Sequence, residues 1–281
     1  MEMRVSAESV APNIPQLRGI LFAKVKKSML TICLRASDGE PAAALLERAA
    51  AAQFQAVEIP FASQGSQEEP SPDRELHALR EAADRAAMRI GALRIDCGDR
   101  VSFGDPSEEA RRSAATIIRG AIDAAVNCGA SVVVVPPELF RRKDAPNLPR
   151  DEAYAKLLDA FSQIRFHALH RGITVACDFC QSPAFSSVGE AREFVDWVNS
   201  PFVGVSIRAS EDHGSDTSAE WIALLGHRVK HVRVGTTSLD LSAAFAALGA
   251  ACFDGVITFT GADAEALRDE MKRIMGLSVA S

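Results

Sequence analysis

The sequence predicts a fold of the α/β class, a single (β/α)8 TIM barrel. Short apolar runs alternate with helical patterns eight times along the chain. Several of those runs are nearly continuous, as in Val132–Val135, which is the pattern of parallel strands covered on both faces. Length agrees: 281 residues with 47% apolar content suit one barrel of about 250 residues, and no linker divides the chain in two. The barrel is expected over residues 28–281, with residues 1–27 as an N-terminal tail lying against it.

In order, the strands are expected at Leu30–Arg35, Ala56–Ile59, Arg89–Ile95, Ser131–Val135, Thr174–Asp178, Val203–Ile207, Val229–Val234 and Gly255–Thr260. The helices between them carry recognisable ends. Ser71-Pro72 caps and starts the second, with Leu76, Leu79 and Ala83 on one face. Asp105-Pro106-Ser107-Glu108 reads as a capping box with Pro at the first helical position. Gly129, Gly172 and Gly249 each precede a strand where a left-handed helix end is wanted. A short helix is expected around Glu220–Leu225. Trp197 and Trp221 are expected to face the barrel as core. Alternation this regular implies right-handed crossovers and a parallel sheet, and eight such strands close most easily as a barrel.

Composition excludes several classes of function. A net charge of −6 with both signs interspersed lacks the concentrated basic surface of a nucleic-acid binder. No stretch approaches the ~20 apolar residues of a membrane span. Residues 1–27 place acidic residues before a brief apolar patch, unlike a secretion signal. Six scattered cysteines form no disulfide scaffold, so a cytoplasmic location is expected.

In a closed barrel the carboxyl ends of all strands converge on one mouth. Those ends carry Arg35, Glu58, Arg94 with Asp96, Glu138, Asp178, Arg208 with Glu211, Arg233 and Thr260. Because side chains alternate along a strand, Arg233 shares a face with His231, Arg208 with Ser206, and Asp178 with Ala176.

Three phrases carry a resemblance: Val198-Asn199-Ser200-Pro201 with Val203-Gly204-Val205, then Val229-Lys230-His231-Val232, then Phe253-Asp254-Gly255-Val256-Ile257. From roughly Leu30 to the C-terminus the chain resembles the xylose-isomerase-like barrels, the sugar phosphate isomerase/epimerase superfamily. The resemblance implies the barrel, and it implies a divalent metal site held by four side chains. Aligned residue by residue, the family's metal-binding Asp falls on Arg208, its His on Arg233, its last Glu on Thr260 and its remaining Glu on Asp178. A substrate-binding His of the family falls on Glu211, and a His of its third strand on Arg94.

Electrostatics then argues against a metal. Hard cations take carboxylates and imidazoles, whereas Arg is always protonated and offers donors only. Two positive charges at about 4–6 Å from a would-be cation repel it by several kcal/mol at an effective dielectric near 20. No metal and no cofactor are therefore expected, and with them no metal-stabilised enediolate. Two readings replace the metal. Arg208 or Arg233 pairs with Asp178 and plugs the mouth of a non-catalytic binding or partner subunit. Alternatively, Arg35, Arg94, Arg208 and Arg233, with His231 and Thr260, bind a small anionic sugar or sugar acid. Catalysis would then fall to Glu58, Asp178 or Glu211, whose pKa the arginines would lower, making each a weak base for isomerisation. A metal nuclease of the same fold, as in the endonuclease-IV-like barrels, would need a richer set of His and carboxylate ligands.

Other motifs read as structural. Cys177 and Cys180 have redox spacing but fall on opposite faces of a strand, and no helix follows at once to lower a thiol pKa. His167 and His170 read as a solvated helix end, His213 as a surface residue that could reach the mouth, and His231 as a packed, hydrogen-bonded barrel histidine. The long loop Pro136–Pro149, basic at Arg141-Arg142-Lys143, suits a lid or a contact between copies in a homo-oligomer.

Overall fold

The computed structural model describes residues 30–37, 39–62, 72–96, 101–141, 146–179, 185, 187–209, 216–236 and 241–277, with backbone alone for 62 and 72–75. The tail predicted for residues 1–27 lies outside them, as do Glu211, His213 and Cys180. Eight strands form a closed parallel barrel in sequence order, β8 returning to pair with β1. They are β1 (Thr31–Arg35), β2 (Ala56–Ala62), β3 (Arg89–Asp96), β4 (Val132–Val135), β5 (Thr174–Asp178), β6 (Val203–Arg208), β7 (Val229–Val234) and β8 (Val256–Phe259). Each is followed by a helix: α1 (Ala42–Ala51), α2 (Pro72–Arg85), α3 (Glu108–Cys128), α4 (Arg150–Arg171), α5 (Val188–Val198), α6 (Ser218–Leu225), α7 (Ser242–Ala250) and α8 (Ala264–Ile274).

Every expected strand forms, β5 and β7 at the expected bounds and the other six with one or both ends shifted by one to three residues. The largest extension is β2, expected to stop before Pro60. Its pairing with β1 ends at Glu58, so beyond that point only β3 is a neighbour and an edge proline is tolerated. Two register shifts matter for the site. One, between Val57 and Glu58, steps past Gly91. The other, between Val205 and Ser206, steps past Lys230 and sets Ser206 directly opposite His231.

Helix ends correct three expectations. The cap of α3 is Ser107, whose hydroxyl accepts from the Ala110 N–H at 3.4 Å. Asp105 instead accepts from the Ser107 N–H at 2.8 Å, and Pro106 stays outside the helix. The capping box occurs at α6, where the Thr217 N–H donates to Glu220 at 2.7 Å and the Thr217 hydroxyl accepts from the Glu220 N–H. Gly129 and Gly172 take the left-handed conformation, with φ of 79° and 69°. Gly249 does not: it lies within α7, and the positive φ falls on Cys252. Trp221 is buried, but Trp197 is 53% exposed at the end of α5, because its helical position turns it from the barrel.

The core has two parts, set by the alternation of side chains along each strand. Outward-facing Leu34, Val57, Leu93, Val133, Val175, Val205, Val232 and Ile257 pack against the helices. Inward-facing Cys33, Ala56, Ala92, Val132, Val134, Ala176 and Val256 fill the barrel interior with small groups. Above them, toward the mouth, the inward positions become polar: Glu58, Ser206, His231 and Thr258, all buried.

A ring cluster supports the mouth at β5. Phe179 follows Asp178 and packs at a tilt against Phe185 at 4.1 Å and Phe140 at 5.0 Å, and edge-to-face against Phe194 at 5.5 Å, between ring centroids. Phe140 and Leu139 belong to the loop expected to be a lid. Both are buried, and Phe103 and Gly104 donate backbone hydrogen bonds to them at 2.8 and 3.1 Å. That part of the loop is a packed wall of the mouth. Replacing Phe179 with Ala should lower the unfolding free energy by about 3–5 kcal/mol in urea denaturation; a loss below about 1 kcal/mol would show that the cluster does not support the strand end.

Candidate functional site

The functional geography of a barrel puts the site at the carboxyl ends of the strands. There the Glu58 carboxylate on β2 accepts hydrogen bonds at Oε2 from His231 Nε2 on β7, at 3.0 Å, and from the Thr258 hydroxyl on β8, at 2.8 Å. Its Oε1 stands 3.6 Å from the Nε of Arg35 on β1, within reach of charge but beyond hydrogen-bond distance. Oε1 has no hydrogen-bond partner. The other imidazole nitrogen, Nδ1 of His231, lies 2.8 Å from the Ser206 hydroxyl on β6. Burial by itself would push the Glu58 pKa up. The hydrogen bond and charge of His231, the charge of Arg35 and the hydrogen bond of Thr258 outweigh burial and hold it at about 2. Glu58 is therefore ionised at neutral pH and a weak base.

A second pair crosses from β5 to β6. Arg208 Nε donates to Asp178 Oδ2 at 2.6 Å, with both side chains largely buried. Arg94 on β3 and Arg233 on β7 are half-buried nearby. A cavity of about 70 Å³ opens among Glu58, Arg94, Glu138, Asp178, Ser206, Arg208, His231 and Arg233. Of the expected site residues it thus gathers Glu58, Asp178, Arg94, Arg208, His231 and Arg233. Arg35 stands behind Glu58, and Thr260 is turned to the Val234 carbonyl, 3.4 Å from its hydroxyl, so neither lines the cavity. Glu211 lies outside the described residues. Sequence reasoning passed over Thr258, two residues before Thr260 and on the same face, which the period of the strand identifies as the inward threonine. A larger groove of about 400 Å³ lies between α3 and α4, lined by Arg111, Arg119 and Lys156 among others; it is remote from the strand ends.

The remaining motifs resolve structurally. Burial raises the pKa of the Cys33 and Cys177 thiols, and the neighbouring charges of Glu58 and Asp178 add to it, so neither is a nucleophile. His167, expected as part of a solvated helix end, instead bridges α4 to Asp123 on α3 at 3.1 Å, beside Arg171 at 2.8 Å from the same carboxylate oxygen.

The fold and the placement of polar groups at the carboxyl ends of its strands define the class: a single (β/α)8 barrel. The chain belongs to the xylose isomerase-like TIM barrel family, whose sequence model matches residues 46–276. No curated protein sequence matches significantly. Solved structures share the fold. A D-psicose 3-epimerase crystallised in the presence of D-fructose superposes with a TM-score of 0.70 at 14% identity, over 82% of this chain and 84% of that one. The 3-keto-D-glucoside 4-epimerase of E. coli gives 0.70 at 17% identity, over 88% and 99%. The IOLI protein with a bound zinc atom gives 0.65 at 16% identity, over 88% and 98%.

The divalent ion that the fold family implies does not suit the donor set here. Asp178, the one carboxylate at a position where the resemblance puts a metal ligand, already accepts from Arg208, and Arg233 stands at another such position. Among the described residues no group of three or more His, Cys, Asp or Glu stands close enough to share an ion. No described helix is long and apolar enough to cross a membrane.

The pKa of Glu58 generates a pH test. Its folded value lies below the usual carboxylate value of 4.5, so its contribution to stability is present above about pH 4.5 and is lost as pH falls toward 2. Urea denaturation between pH 5 and pH 2.5 should show the wild type losing about 2–3 kcal/mol more than Glu58→Gln; equal losses would contradict the assignment.

Proposed function

We propose that this barrel binds a small anionic carbohydrate, a sugar or sugar acid, at its carboxyl-end mouth through arginines and without the family's divalent ion. The observation that carries the reading is the Arg208–Asp178 pair at 2.6 Å, lining one cavity with Arg94 and Arg233. A guanidinium there repels a cation and offers planar, forked donors to a carboxylate or phosphate. The sugar epimerases that share the fold support a carbohydrate over other small anions. Any turnover would be isomerisation or epimerisation, with proton transfer left to Glu58, Asp178 or Glu211. A carboxylate held near a pKa of 2, as Glu58 is, makes that transfer slow.

A second reading keeps the barrel and drops the ligand. The ion pairs of Arg208 with Asp178 and Arg35 with Glu58, and the small cavity between them, also suit a mouth closed by salt bridges in a non-catalytic partner subunit. Thermal-shift screening against sugar acids and sugar phosphates, with Mn²⁺ and Mg²⁺ as controls, separates the two. The anion reading expects saturable stabilisation by at least one acid, and a loss of affinity of about tenfold or more in each of Arg208→Ala and Arg233→Ala. The closed-mouth reading expects no shift. Stabilisation by Mn²⁺ alone, abolished by Asp178→Ala, would overturn both.

A further inference from the structure

We infer that the ligand of this mouth is a hydroxylated monocarboxylate, a short sugar acid, in preference to a phosphorylated sugar. The inference rests on the anion reading above and adds the chemical class of the ligand. Three features of the cavity point to it.

The first is a cation with nothing to hold. Arg94 is half-buried, lines the cavity and makes no ion pair or side-chain hydrogen bond among the described residues. The other guanidiniums differ: Arg208 is tied to Asp178 and Arg35 leans on Glu58. Arg94 is thus the group best placed to receive a carboxylate in its fork.

The second is an acceptor with nothing to accept. Glu58 Oε1 is buried and without a hydrogen bond, although Oε2 of the same carboxylate has two. With only the Arg35 charge at 3.6 Å and no hydrogen bond, this ionised oxygen is under-satisfied, and a hydroxyl on a ligand in the cavity that Glu58 lines would supply the donor. At the rim Glu138, exposed and also unpaired among the described residues, offers further acceptor oxygens to the same cavity. An anion that carries hydroxyl groups satisfies both ends; a bare anion satisfies only Arg94.

The third is charge and size. Among the described residues that line the cavity, Arg94, Arg208 and Arg233 balance Glu58, Glu138 and Asp178, so the lining carries no net charge. A neutral lining takes one added negative charge at less cost than the two of a phosphate dianion. A cavity of about 70 Å³ has room for about five water-sized groups, enough for the carboxylate and first hydroxyl of such an acid, with the rest of its chain toward the open mouth.

The test uses three probes on the full chain: glycerate, propionate with the same carbon skeleton but no hydroxyls, and inorganic phosphate, titrated by calorimetry. Glycerate should bind at least about tenfold tighter than propionate, and phosphate should bind more weakly than glycerate. Arg94→Gln should weaken glycerate and propionate alike. The double variant Glu58→Gln/Glu138→Gln, checked for folding by its thermal melt, should bring glycerate down to the level of propionate; the single variant Glu138→Gln, at an exposed site, should narrow the gap without any question of folding. Equal affinity of the wild type for glycerate and propionate would overturn this inference and leave the anion reading standing. Tighter binding of phosphate would also overturn it, in favour of a phosphorylated ligand. Failure of all three probes to bind would bring down the anion reading and this inference together.

Discussion

One buried carboxylate holds the mouth of this barrel together. Glu58 projects from β2 and reaches His231 on β7, Thr258 on β8 and Arg35 on β1, so that a single charge joins four strands across the barrel's closure. A charge so deeply buried persists only where partners outweigh its lost hydration, and here they do. The register shift past Lys230 brings His231 opposite Ser206 and completes a chain of polar groups above the small-residue interior. With that layer fixed, the next inward positions on β3, β5, β6 and β7 stand one step higher, and they carry Arg94, Asp178, Arg208 and Arg233.

Those four residues line the cavity at the mouth. The xylose isomerase-like fold is intact, yet guanidiniums occupy positions where the resemblance puts metal ligands, and the carboxylate that remains is bound to one of them. Guanidiniums in place of carboxylate and imidazole ligands would change the charge at the mouth while the barrel stays the same. A fold is a frame for a site, and its chemistry follows from the side chains at the strand ends. The proposed exchange of a cation site for an anion site is of that kind.

Much of this was legible in the sequence because strand period and barrel closure are strong constraints. All eight strands form near where their apolar runs place them, and Arg94, Asp178, Arg208, His231 and Arg233 converge as their positions at strand ends require. What escaped depended on local geometry that residue type does not specify. Asp105 and Ser107 are both good caps, and the chain uses the later one. Gly249 looks like a helix end, but α7 runs through it to Ala250. Trp197 and Trp221 are equally apolar; a difference in helical phase buries one and exposes the other. The sequence points to Thr260 as a site residue, yet it is Thr258 that touches Glu58, because the last strand ends at Phe259 and Thr260 turns to the Val234 carbonyl.

The central claim is that arginines have displaced a divalent cation from the mouth. Its most direct test is a titration of the full chain with Mn²⁺ followed by electron paramagnetic resonance. The account predicts that the signal of the free aquo ion stays undiminished at equimolar protein. Stoichiometric loss of that signal, restored by Asp178→Ala, would contradict it.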